Sequence, residues 1–220
     1  QFQGIVQKIA DAALESNVQT LEELNNLQIE GKTVSEHLTD LIATIGENMQ
    51  LRRFERVSVE KGAVAHYVHN AVKGDMGRIG VIVGLESDAP ADKLKETGKK
   101  LAMHVAAAKP EFRTPEDVPE ERIERERAVL KEQAAESGKP AEIIDKMVEG
   151  RLRKFYEEIC FLNQIFVIDG ENTVAKFIEQ ASKDTGSDLN LTDYKMLVLG
   201  EGIEKEEENF AEEVRNAVNG

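Results

Sequence analysis

GKPAEIIDKMVEGRLRKF, Gly138 to Phe155, is the stretch that decides the architecture of this chain. Ser137-Gly138-Lys139-Pro140 is a break between two helices: Gly suits the left-handed position after a helix, and Pro suits the first turn of the next. The helix that follows carries Ile144, Met147, Val148, Leu152, Phe155 and Ile159 on one face. The helix before the break, Glu116 to Glu136, is heavily charged and has a thinner stripe of Val118, Ile123, Leu130 and Ala134. Two helices with narrow apolar stripes and charge on every other face predict an antiparallel coiled-coil hairpin, a solvated arm rather than a core element.

Helices and strands alternate on both sides of this arm. Phe2, Ile5, Ile9 and Ala12 recur at helical spacing, so an amphipathic helix opens the chain. A polar stretch, Asn17 to Lys32, reads as loop with a short helix around Leu21 to Leu24. Thr33-Val34-Ser35-Glu36 fits a capping box, followed by a helix with Val34, Leu38, Leu41, Ile42 and Ile45 on one face. From Asn48 the pattern shifts to strands. Phe54 to Val59, Ala63 to His69 and Ile79 to Val83 predict a three-stranded antiparallel meander, with Asn70 to Gly77 as the loop of its second hairpin. Asp92 to Ala108 is a helix that stops at Lys109-Pro110. Beyond the arm come a helix over Asn172 to Lys183, a strand over Leu189 to Leu199, and a last helix over Glu204 to Val218. The fold class expected is α+β, with two antiparallel-sheet subdomains flanked by helices, the inserted coiled-coil hairpin and a C-terminal helix.

Composition narrows the function. In 220 residues, 42 acidic side chains outnumber 28 basic ones, for a formal charge of −14. Such a surface repels a phosphate backbone, so direct nucleic-acid binding is disfavoured. An apolar fraction of 40% supports a real core, but aromatics are only 5% and aliphatic residues must do most of the packing. The lone Cys160 permits no internal disulfide and fits a reducing cytoplasm. No apolar run approaches the roughly 20 residues needed to span a bilayer, and the opening residues are not expected to act as a signal peptide.

Candidate chemistry is sparse. Gly31-Lys32-Thr33 echoes the end of a phosphate-binding loop, but the position that needs the first Gly is Asn26. His66 and His69 lie three apart, which places them on opposite faces of a strand, no Cys lies nearby and no HExxH occurs, so no metal site is expected. His104, between Met103 and Val105, reads as a satisfied packing histidine. The acidic run Glu120 to Glu126 is a solvated helix face with i,i+4 pairs such as Glu121 with Arg125. With no nucleophile–base set and no cofactor motif, the chain is expected to act by binding and not as an enzyme.

Three phrases, AMHVAAAKPEF (Ala102 to Phe112), the GKPAEIIDKMVEGRLRKF run and GEGIEK (Gly200 to Lys205), occur here in the order and at the separations of the bacterial elongation factor Ts family. The chain resembles that family over nearly its whole length. The resemblance implies a guanine-nucleotide exchange factor that binds the translational GTPase elongation factor Tu and promotes GDP release, with no cofactor. It implies residues 1–61 as the remainder of a first core subdomain, 62–112 with 162–199 as the second, 113–161 as the coiled coil and 200–220 as a C-terminal module. It also implies that an N-terminal module and a Thr-Asp-Phe-Val-Ala segment precede Gln1 in the family, so the chain is expected to be a fragment. His69, after Tyr67, matches the family histidine that contacts the nucleotide domain; Asn70 sits beside it, and Phe210 and Val214 of the last helix are expected to dock on the same domain. The second subdomain is expected to contact another domain of the GTPase. The alternative is a scaffold or dimerisation module in which the helical hairpin pairs with a second copy.

Overall fold

The computed structural model describes residues 2–202. α1 (Phe2–Glu15) and α2 (Leu21–Asn26) lead into a minimal hairpin, β1 (Gln28–Ile29) and β2 (Lys32–Thr33), and then α3 (Val34–Ile45). The hairpin turns through Glu30 and Gly31, both with positive φ, as a tight two-residue loop requires. Thr33 and Glu36 form the expected capping box at α3. Ile9, Ala13, Leu24, Ile29 and Val34 bury together here, with Leu51 and Phe54 packed against them.

The second core is built on one antiparallel sheet in the order β3 (Gly62–Lys73), β4 (Met76–Glu86), β5 (Asn190–Val198). Strict alternation puts Val81, Val83 and Leu85 of β4 on one face, all buried. They meet Leu94, Leu101 and Val105 of α4 (Ala91–Ala108), with Val174 and Ile178 of α7 (Val174–Thr185) completing the layer.

Two expectations change here. Phe54 to Val59 does not join the meander. It runs as an extended segment across the other face of the sheet, where Val57 and Val59 lie against Gly84. Its β-branched residues fit that surface through side chains, not ladder hydrogen bonds; the third strand is β5, more than a hundred residues further on. The second hairpin also has almost no loop. Pairing continues to Lys73 opposite Met76, leaving Gly74-Asp75 as the turn.

The segment over the sheet is bolted down by arginines. Arg56 donates to the carbonyls of Ala13 and Ser16 at 2.9 Å each, satisfying the open C-terminal end of α1. Arg53 donates to Val198 O at 2.6 Å, and Arg52 donates to Gly202 O at 3.0 Å.

Between α4 and α7 the chain leaves the core as α5 (Glu120–Ala135) and returns as α6 (Ala141–Ile159). Gly138 takes the left-handed conformation in the turn between them, with φ 63°. Leu130 and Ala134 bury against Val148 and Leu152, so the two helices pack on each other along the expected stripe. At the root, Phe161 N–H donates to Phe112 O (2.8 Å) and Phe112 N–H to Ile159 O (3.1 Å), closing the insertion where it leaves the core.

Two outcomes follow from this packing. A Cβ at Gly84 would lie 2.7 Å from Thr192 Oγ1 and 2.8 Å from Val57 Cγ1. Gly84→Ala should therefore lower stability by about 1–3 kcal/mol in urea unfolding, whereas Gly80→Ala, whose Cβ meets nothing within 4 Å, should not. Burial pushes the fully buried Cys160 thiol up to about 11 from 9.0. At pH 8 its modification by a disulfide reagent should be at least about 100-fold slower in the folded chain than in denaturant, because the thiolate is the reacting species; equal rates would contradict this burial.

Candidate functional site

β3 and β4 form a long hairpin whose far end carries the residues singled out in the sequence. Along β3, Ala63 and Ala65 are buried under α4, and Tyr67 is half-buried at the rim of the same core. His69 continues that face one step beyond the core and is exposed. The Tyr67 hydroxyl lies 3.0 Å from His69 Nδ1, so the packed tyrosine holds the exposed imidazole in place. Asn70 follows with φ 52°, a left-handed conformation that Asn tolerates better than most residues. Tyr67, His69 and Asn70 therefore stand together. Phe210 and Val214 lie outside the described residues.

Beyond His69 the hairpin bends sharply. The pairing register shifts between Ala71 and Lys73, a bulge next to the left-handed Asn70. His66 Nε2 reaches Asp75 Oδ1 in the tip at 3.3 Å. A straight strand would separate them by roughly 20 Å, so the tip curls back over the face that carries His66. Gly77 makes the bend feasible, because a Cβ there would lie 2.4 Å from Val68 Cγ1 and 2.8 Å from His69 O. The curl leaves His69 and Asn70 on the outside of the bend. His66 and His69 thus serve separate surfaces.

A second exposed feature was not singled out in the sequence. Between the arm and α7 the chain forms a tight knuckle over residues 164–174. Phe166 is buried, but its neighbours Ile165, Val167 and Ile168 are 50%, 47% and 50% exposed. Such a cluster of large apolar side chains on one small loop is the kind of surface that partners cover. The loop is held internally by Phe166 N–H to Asn172 O (2.7 Å), Gly170 N–H to Phe166 O (2.8 Å) and the Asp169 carboxylate, which accepts from the amides of Glu171 and Asn172. The sequence signal is the apolar run Ile165 to Ile168 directly before Asp169-Gly170, where a turn should be polar.

His104 lies directly beneath this knuckle and is fully buried. Val167 N–H donates to His104 Nδ1 (3.2 Å), so Nε2 carries the proton and donates to Gln164 Oε1 at 2.8 Å. The Gln164 amide in turn donates to Glu158 O at 2.7 Å. The imidazole is stacked on Phe161 and lies against Phe166. Burial holds its pKa below the ordinary histidine value, against the opposing pull of Gln164. This is the satisfied packing histidine expected from the sequence.

Nothing in these two surfaces brings a nucleophile to a base. Among the described residues, no group of three or more His, Cys, Asp or Glu side chains is placed to hold a metal ion. The groove between α4 and α7, about 400 Å³, is lined by Lys93, Glu96, Lys100, Phe177, Gln180 and Asp184 among others. No helix of the described residues is long and apolar enough to cross a membrane. What the geometry offers is a pair of exposed surfaces, one polar and built on a hairpin, one apolar and built on a knuckle.

Comparison with known proteins bears on what those surfaces meet. The sequence model of the family described as Elongation factor TS matches residues 1–201. The Elongation factor Ts of Rhodospirillum rubrum is 52% identical over 215 residues, covering 97% of this chain and 70% of that protein. That of Paramagnetospirillum magneticum is 50% identical over 216 residues, covering 97% and 69%. That of Brucella anthropi is 48% identical over 219 residues, covering 100% and 72%. With about half the residues identical over almost the whole chain, the chain belongs to the elongation factor Ts family of translation elongation factors.

Proposed function

We propose that this chain is a guanine-nucleotide exchange factor that binds elongation factor Tu in its GDP form and promotes GDP release, acting in the cytoplasm and without a cofactor. The observation that carries this reading is the outward-facing group of Tyr67, His69 and Asn70 at the bend of the β3–β4 hairpin, in a chain of this family. The mechanism is linkage. A factor that binds the nucleotide-free conformer of a GTPase more tightly than the loaded one must weaken nucleotide binding by the same factor. No acid, base or metal of its own is needed. What is needed is a side chain held rigidly enough to displace an element of the GTPase, and the Tyr67 hydroxyl gives His69 that support.

The exposed knuckle, Ile165, Val167 and Ile168, is the second contact in this reading. It anchors the factor on another domain of the GTPase while the hairpin acts on the nucleotide domain. Phe210 and Val214 add a third contact on the grounds of their spacing alone. A different role, pairing with a second copy through the arm, is favoured by one observation: Val129 of α5 and Ile143 of α6 are both exposed.

Release of a fluorescent GDP analogue from elongation factor Tu, followed with increasing concentrations of this chain, tests the exchange reading. The chain should accelerate release in a saturable manner. His69→Ala should lower the maximal rate about tenfold while leaving the half-saturating concentration within about twofold, as expected for a contact made in the exchange step and not in docking. Val167→Asp should do the reverse, because it places a charge in an apolar contact. A wild-type chain that binds the GTPase without accelerating release would remove the exchange reading; one that self-associates and ignores the GTPase would favour pairing through the arm.

A further inference from the structure

We propose that His104 and Gln164 are positioning residues for partner binding: from inside the core they fix the pose of the apolar knuckle that the GTPase covers. The inference rests on the exchange reading above and goes beyond it, since neither residue reaches the surface. Val167 keeps its side chain exposed while its N–H points inward to His104 Nδ1. That hydrogen bond links the exposed loop directly to α4. Gln164 N–H ties the base of the knuckle to Cys160 O (3.1 Å), and the bonds from Phe166, Gly170 and Val174 N–H close within residues 164–174. The latter shape the loop but do not orient it on the core. Orientation comes from Phe166, stacked on Phe177 with ring centroids 4.1 Å apart, and from His104.

Gln164 makes the arrangement single-valued. Its Oε1 accepts from His104 Nε2, so the imidazole must offer an unprotonated Nδ1 to Val167. The Gln164 amide is itself oriented by Glu158 O at the end of α6. Each group in the chain from Glu158 through Gln164 and His104 to Val167 has one role, donor or acceptor, at each atom. His104 and Gln164 are the two buried polar side chains among the described residues. Their specificity is for hydrogen bonding. A knuckle ordered before binding need not be ordered by the partner. Releasing one or two residues would weaken association about ten- to a hundredfold through the entropy of re-ordering them.

Two kinds of variant separate positioning from simple packing. His104→Gln keeps an amide donor near the Nε2 position but provides no acceptor for Val167. His104→Asn carries an oxygen near the Nδ1 position and restores that acceptor. In the GDP-release titration, His104→Gln should raise the half-saturating concentration about tenfold with the maximal rate unchanged, and His104→Asn should recover most of the loss. In the wild-type chain the Val167 amide should be protected from hydrogen exchange to the level of the α4 amides, although its side chain is exposed. Rapid exchange at Val167 would overturn the inference whatever the variants do. Equal titrations for wild type and His104→Gln, or a loss in both variants that simply tracks their melting temperatures, would overturn it while leaving the exchange reading intact. A wild-type chain that does not bind the GTPase would overturn both.

Discussion

The architecture depends on closing one core across an inserted arm. The chain leaves its second core at Phe112 and re-enters at Phe161, with α5 and α6 between. Re-entry must bring a new segment onto α4 and leave no buried polar group unpaired, since each such group would cost about 1–3 kcal/mol. The Phe112–Cys160 bridge sets the direction of return, and the His104–Gln164 pair sets its register on α4. Phe161 then packs on His104 and edge-on to Tyr194 of β5, while the Tyr194 hydroxyl donates to Pro110 O at 2.9 Å. Helix, sheet and returning chain thus meet at a few aromatic and polar groups. In a protein with so few aromatics, their concentration at this junction places the most directional packing where the topology is least local.

A second constraint comes from the linker over the open face of the sheet. A three-stranded sheet covered on one side only would expose the alternate residues of β4. Here those residues include Gly80 and Gly84, and the linker lies in the space that Gly84 leaves. Arg52, Arg53 and Arg56 convert this lateral contact into a fixed one by donating to backbone carbonyls at the ends of α1 and β5. Guanidinium groups suit this task because one planar group can serve two carbonyls while its stem covers apolar surface. The first core is thereby held against the second through the linker.

The elements legible in the sequence are those whose signals are local. The helix break at Gly138, the Thr33–Glu36 capping box and the alternation of Val81, Val83 and Leu85 each depend on residues a few positions apart. What was not legible depends on pairing at a distance. Phe54 to Val59 and Asn190 to Val198 have similar composition, and nothing local says which one takes the free edge of β4. The curl of the hairpin tip arises from a bulge, a left-handed Asn70 and the close approach at Gly77, none of which has a strong signature alone. Tyr67 and His69 were singled out by the resemblance to the family, and the hydrogen bond between them was not foreseen. The partnership of His104 with Gln164, sixty positions away, was not foreseen either.

In the proposed exchange reading, the two exposed surfaces would have different tasks. The hairpin presents a polar, exposed imidazole supported by a half-buried tyrosine, and polar contacts are sensitive to position and strong only when well aligned. The knuckle presents aliphatic side chains, whose contribution scales with area and tolerates small shifts. If one surface carried both tasks, tighter binding to the loaded GTPase and to the empty one would rise together, and the differential that drives exchange would not grow. Separating them removes that conflict. Under the proposed function, the apolar knuckle would add affinity for every nucleotide state, and His69 would add affinity for only one. Both must be rigid relative to each other for binding at the knuckle to be felt at His69. In the proposed reading that rigidity would run through α4, whose Gly98 lies against Ala65 of the hairpin and whose His104 accepts from the backbone of Val167.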